Sequence, residues 1–200
     1  MALITPGYAK QQQHLHDTTE YGTAAIAYAP LVAQIIDKLQ ISHLLDYGCG
    51  SRTSLARAMF DRGSTARPKL EHIQPGHKFQ YQAYDAGVER FSAAPIPAQM
   101  VTCIDVLEHV EPDCLDEVLD HLKSLTEAVL FCTVHTGPAA KVLPDGRNAH
   151  INQQPMSYWL PKLWDRFELH TVQVTGDHQF HVIAYAKPHA IEHVNGSRIS

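Results

Sequence analysis

The 200-residue sequence contains no apolar run approaching the ~20 residues needed to cross a bilayer. Its opening stretch, MALITPGYAKQQQHLHD, is too polar for a signal peptide. Neither a membrane nor an export route is expected. Positive charge is not in excess either: 16 Lys and Arg stand against 21 Asp and Glu, for a formal net charge of −5. Such a chain has no general attraction for phosphate backbones or anionic lipid, which argues against nucleic acid as the default partner. Cysteine is scarce and unclustered. Cys49, Cys103, Cys114 and Cys132 form no C-x-x-C pair, so no zinc cluster or disulfide framework is indicated, and reduced thiols in a cytoplasmic protein are expected. No internal repeat marks a second unit, and 44% apolar content suffices for one hydrophobic core. The expected organisation is an N-terminal arm or lid over residues 1–20, a single domain over 21–187 and a C-terminal tail over 188–200.

Alternation of helical and strand patterns fills that domain. Residues 21–39 space Ile26, Leu31, Ile35, Ile36 and Leu39 as one helix or as two broken at Pro30. SHLLDY (42–47) is a buried strand, and SRTSLARAMFDRG (51–63) a helix closed by Gly63. After a proline-punctuated loop, KFQYQAYD (78–85) alternates as a strand ending at Asp85. QMVTCID (99–105) is a further strand, and the stretch between is too short for a full extra helix and strand. EPDCLDEVLDHLKSL (111–125) puts Leu115, Val118, Leu119 and Leu122 on one helical face behind an acidic start. EAVLFCTV (127–134) is a buried strand, PMSYWLPKLWDRF (155–167) a helix, and 168–187 an antiparallel hairpin turning at Gly176-Asp177. This order predicts a three-layer α/β fold with a largely parallel sheet and a shortened third-strand region.

In such a sheet, ligands bind beyond the carboxyl ends of the strands. The stretch LLDYGCGSRTSL (44–55) places Asp46, Gly48, Cys49 and Gly50 at one of those ends. Glycines there permit positive φ and close approach of a ligand to the backbone, and Asp46 can hold an ammonium group or a loop amide. A bare tight turn would read the same way. Asp85, at the next strand end, is suited to the ribose hydroxyls of a nucleotide-like cofactor, although its distance from the glycines exceeds the usual ~20 residues. The third glycine of G-x-G-x-x-G is missing, which disfavours a nicotinamide-binding domain. CIDVLEHVEPD adds Asp105, Glu108 and His109 at a third strand end. Two carboxylates and an imidazole converging there, with His150 from the loop after the following strand, can hold a divalent cation. The alternative is a metal-free site in which His109 acts alone as general base.

In this order, D-x-G-x-G, an acidic strand end and VTCIDVLEHV resemble the class I S-adenosylmethionine-dependent methyltransferases over residues 40–187. The resemblance implies that Asp46, Gly48 and Gly50, with Cys49 between them, surround the methionine part of S-adenosylmethionine and that Asp85 binds its ribose. The D-x-x-E-H pattern followed by His150 also resembles the metal-dependent small-RNA 3′-terminal 2′-O-methyltransferases and the ubiquinone-pathway O-methyltransferases. That likeness implies magnesium or manganese on Asp105, Glu108, His109 and His150. Asp105 stands where those families carry glutamate, one methylene longer, so it binds the ion directly or through water, or holds the sulfonium end of the cofactor. Glu108, His109 and His150 are the implied catalytic residues, serving a small-molecule or sugar hydroxyl. RNA and a non-catalytic cofactor-binding module are the second and third readings. Lys141, Arg147 and Asn148 could grip the acceptor or simply be solvated. The helix 155–167 and the arm 1–20 are expected over the carboxyl edge of the sheet, shaping the acceptor pocket, with Tyr158 and Trp159 read as core residues and pocket lining as the alternative.

Overall fold

The computed structural model describes residues 2–19 and 23–187; the tail expected at 188–200 lies outside the described residues. A six-stranded sheet forms the centre. Its strands are β1 (His43–Tyr47), β2 (Gln80–Tyr84), β3 (Ala98–Ile104), β4 (Thr126–His135), β5 (Phe167–Gly176) and β6 (Gln179–Ala186), in the order β2-β1-β3-β4-β6-β5. The first four in that order run parallel, and β6 and β5 are antiparallel additions. Between β2 and β3 lies only a 3-10 turn, Glu89–Phe91, which is the shortening expected from the proline-rich sequence there.

Because side chains alternate across a strand, each central strand feeds two cores. Leu44, Met100, Val129 and Phe131 face one side, where they pack with helices α2 (Ala25–Leu39) and α3 (Ser54–Phe60). Leu45, Val101, Leu130 and Cys132 face the other, under α4 (Leu115–Leu125) and α5 (Met156–Arg166). α2 is one helix with Pro30 inside it. Pro30 is exposed, so water can satisfy the carbonyl that its missing N–H leaves open. α3 begins later than its sequence suggests, because Gly50 (φ 62) and Thr53 (φ 46) adopt left-handed conformations that carry the chain through a turn first. The hairpin turns one residue later than expected, since Gly176 is still paired with Gln179.

Two segments depart further from expectation. The polar N-terminal arm is a helix, α1 (Pro6–Thr18), with the Thr5 hydroxyl accepting from the Tyr8 N–H and Pro6 in the first turn. The signal was a Thr-Pro start, which favours a helix N-terminus even in a segment of low apolar content. α5, expected over the carboxyl edge of the sheet, instead lies beside α4. Lys162 and Arg166 pair with Asp116 and Asp120, and Trp159 is wholly buried with its indole N–H donating to the Gln154 carbonyl. Trp159→Ala is therefore expected to cost about 3–5 kcal/mol of folding stability, measurable by urea denaturation. Cofactor affinity should stay unchanged at temperatures where the variant is folded.

Candidate functional site

At the carboxyl end of β1 the chain turns through Gly48 (φ 75) and Gly50 (φ 62). A Cβ on Gly48 would stand 2.3 Å from a Val106 methyl, so any side chain there drives the turn away from β3. The Gly48 and Cys49 amides both donate to the Tyr84 carbonyl, at 2.7 and 3.1 Å, which pins the turn against the end of β2. Asp85 follows Tyr84 directly. One of its oxygens accepts from the Gly50 N–H at 2.9 Å and the other from the Gly87 N–H at 2.8 Å. A carboxylate offers about four acceptor positions, so capacity remains for two hydroxyl donors. Cys49 is buried, its thiol donating to the Gly50 carbonyl, and burial pushes that thiol up.

Asp46 sits on the floor of the cleft, nearly enclosed. Rather than a loop amide, it accepts hydrogen bonds from the Tyr81 hydroxyl (2.6 Å) and the Thr102 hydroxyl (3.0 Å). Burial raises its pKa to about 6, against the opposing effect of those two bonds. A carboxyl group raised on folding stabilises the protein below its unfolded pKa and loses that contribution as pH climbs through the folded value. From roughly pH 4 to pH 6 the ligand-free protein is thus expected to lose on the order of 2–3 kcal/mol through this group. Asp46→Asn should flatten that slope in denaturation curves taken at several pH values.

At the end of β3, Asp105 adopts φ 60, with its N–H donating to the Thr133 hydroxyl at 2.9 Å. Left-handed backbone at a non-glycine residue is strained and persists only where neighbours hold it. The 3-10 turn Leu107–His109 follows. The His109 Nδ1 lies 2.7 Å from the Ala149 carbonyl and the His150 Nδ1 2.7 Å from the Gly137 carbonyl. A carbonyl can only accept, so both Nδ1 atoms carry the proton and each Nε2 keeps its lone pair. The two rings meet edge to face with centroids 4.6 Å apart. One ligand atom from each of Asp105, His109 and His150 falls within a 4.8 Å cluster. Burial pushes both imidazoles below their usual pKa, while Asp105 pulls the other way.

No protein-family model matches the chain, and no curated protein matches it. Solved structures do. The 1,6-didemethyltoxoflavin-N1-methyltransferase of Burkholderia thailandensis, solved with 1,6-didemethyltoxoflavin and S-adenosylhomocysteine, superposes with a TM-score of 0.56 at 15% identity, over 88% of this chain and 84% of that one. The chain has the class I methyltransferase fold. The PH0226 protein of Pyrococcus horikoshii OT3 gives 0.54 at 11% identity, over 87% and 99% of the two chains. The magnesium protoporphyrin IX methyltransferase of Synechocystis PCC 6803, with bound S-adenosylhomocysteine, gives 0.50 at 15%, over 91% and 95%.

Within this methyltransferase fold, Asp46, Gly48, Cys49, Gly50, Asp85, Asp105 and His109 all border one cleft. Glu108 requires a correction: it is not in the Asp105, His109, His150 cluster. In a 3-10 turn successive side chains diverge by about a third of a turn, so Glu108 and its neighbour His109 cannot face the same point. Glu108 is wholly buried beneath; one oxygen accepts from the His135 N–H at 2.6 Å and the other has no hydrogen-bond partner among the described residues. Burial, and then Asp105, push its carboxyl well above the usual range. Asn148 braces its own loop, bonding both polar groups of Ala139 and accepting from the His150 N–H, and Arg147 pairs with Asp145. Sequence reasoning missed His135, whose ring lies 4.9 Å from that of His150. It occupies a strand carboxyl end, the position that drew attention to Asp85 and Asp105. It also missed the residues of α1 that face the cleft.

Proposed function

We propose that this chain transfers the methyl group of S-adenosylmethionine to a hydroxyl of a small molecule or sugar. In this reading Asp46, Gly48, Cys49, Gly50 and Asp85 hold the cofactor, and Asp105, His109 and His150 hold a divalent cation, magnesium or manganese. The observation that carries it is the meeting of one carboxylate and two imidazoles, with Asp105 and His109 on the same cleft as the glycine turn. Histidine ligands ordinarily donate their other ring N–H to a carbonyl, as these two do.

When bound, the cofactor supplies an electrophilic sulfonium methyl, and the cation would lower the pKa of the acceptor hydroxyl. The chain itself supplies orientation: the turn and Asp85 fix the adenosyl group, and the Asp105 cluster fixes the acceptor oxygen. Positioning of that kind accounts for ~7–11 kcal/mol of a barrier. Without a cation, the His109 imidazole, kept neutral by burial, would instead accept the hydroxyl proton on its Nε2.

A small acceptor is favoured over RNA because none of the described residues lining the cleft is Lys or Arg, while Asp46, Asp85, Asp105 and Glu111 all border it. A polyanion would meet uncompensated negative charge. The toxoflavin enzyme, whose structure holds a small heterocyclic acceptor, offers a precedent within the fold. Incubation with S-adenosylmethionine labelled on the methyl, against separate metabolite and RNA fractions, tests the proposal. Label is expected in a small hydroxylated product. Label at RNA 3′ ends would favour the second reading, and saturable cofactor binding without transfer would leave a binding module.

A further inference from the structure

The sequence marks the first twenty residues as an arm or lid, and none of the cofactor assignments above uses them. Yet Tyr8, Gln12 and His16, spaced i, i+4 and i+8, form one stripe of α1, and all three border the cleft. The helix runs lengthwise over the glycine turn and the loop after β2. At its C-terminal end the His16 ring stands where a Cβ on Gly50 would come within 3.0 Å of it. Near its middle, the Gln12 Cβ would be 3.2 Å from a Cβ on Gly87, beside the Asp85 carboxylate. Before its first turn, Ile4 closes over the same glycine at 3.6 Å, with Leu3 also on the cleft.

Resting on the cofactor reading of that cleft, we propose that α1 is the outer wall of the S-adenosylmethionine site and must lift for each exchange of cofactor. His16, over Gly50, meets the methionyl carboxylate. Gln12, over Asp85 and Gly87, offers its carboxamide to the ribose. Leu3 and Ile4 cover the adenine. Tyr8 is a positioning residue: its hydroxyl accepts from the Gln12 amide and so sets the direction of that group.

The helix is held shut at its start and along its flank. The Thr5 N–H and hydroxyl both donate to the Glu111 carboxylate, at 2.8 Å each. Along its flank, Tyr8 and Leu15 pack against Leu143 and Ala149 of the loop that delivers His150. Closure therefore joins the cofactor wall to the loop carrying the proposed cation ligand.

The test is rapid-mixing measurement of S-adenosylmethionine binding to the full chain. The double variant His16→Ala/Gln12→Ala leaves the anchors Tyr8 and Leu15 in place and is expected to bind about tenfold or more weakly, from two lost hydrogen-bonding groups. Glu111→Ala, which cuts the tether at Thr5, is expected to release cofactor severalfold faster. Unchanged affinity in the double variant, or an unchanged release rate in Glu111→Ala, overturns the proposal. If Asp85→Ala still abolishes binding in the same experiment, the cofactor reading survives that failure. If the unmodified chain does not bind S-adenosylmethionine, both fall together.

Discussion

Gly50→Val and Asp85→Ala should each weaken S-adenosylmethionine binding by two orders of magnitude or more, while circular dichroism shows the fold retained. The two changes act on one construction. Gly50 sits at φ 62, where a β-branched side chain is strained, and a Cβ there stands 3.0 Å from the His16 ring. Asp85 joins the Gly50 amide to the Gly87 amide; without it, two donors at the cleft lose their partner and the ribose loses its acceptor. Hydrogen bonds to a charged acceptor are worth roughly 1.5–3 kcal/mol each, so two such bonds to the ribose hydroxyls account for a hundredfold effect. Calorimetric titration reads it directly. Affinity within threefold of the unmodified chain in both variants would move the cofactor elsewhere.

A loss of similar size is expected at the acceptor end, but in turnover. His109→Ala or His150→Ala, or exhaustive chelation of the unmodified chain, should reduce kcat by ~10²–10⁴, as expected when a cation or proton acceptor is removed. Cofactor affinity should stay within about twofold if these groups serve the acceptor oxygen as proposed. Adding back manganese or magnesium should restore the chelated protein and not the variants. Full activity after chelation, with a large loss in His109→Ala, would assign the chemistry to His109 as a metal-free base. Glu108→Gln separates a ligand from a support: its amide oxygen can still accept from the His135 N–H, so metal affinity should persist. A loss equal to that of His109→Ala would return Glu108 to the ligand set.

The architecture was legible because its signals are local. Leu44 and Leu45, or Val129 and Leu130, announce buried strands by being apolar on both faces, and α4 shows its stripe of leucines without ambiguity. The glycine turn and the acidic strand ends were legible for the same reason: a topological rule places chemistry at those ends. What failed needed knowledge beyond the segment itself. Whether Glu108 joins Asp105 and His109 depends on how the chain leaves β3: a left-handed Asp105 followed by a short 3-10 turn buries Glu108 away from them, and nothing in the segment announces that backbone path. The α1 stripe was hidden because Gln12 and His16 are polar, so burial of that face depends on a cleft built by Gly50 and Gly87, which lie outside the segment. α5 was misplaced because nothing within it reveals that Asp116 and Asp120 wait on the neighbouring helix.

The shortened region between β2 and β3 leaves β2 at the margin of the sheet, with β1 as its one neighbour among the described strands. Asp85 therefore hangs from the strand most easily frayed, since a margin strand of five residues is secured along one side alone. On the proposed cofactor reading, local unfolding and cofactor capture would be linked equilibria: each opening of β2 would dismantle the ribose acceptor, and each bound cofactor would remove the opened state from the population. The ligand would act as the missing outer neighbour, completing by association an edge that other sheets complete by chain.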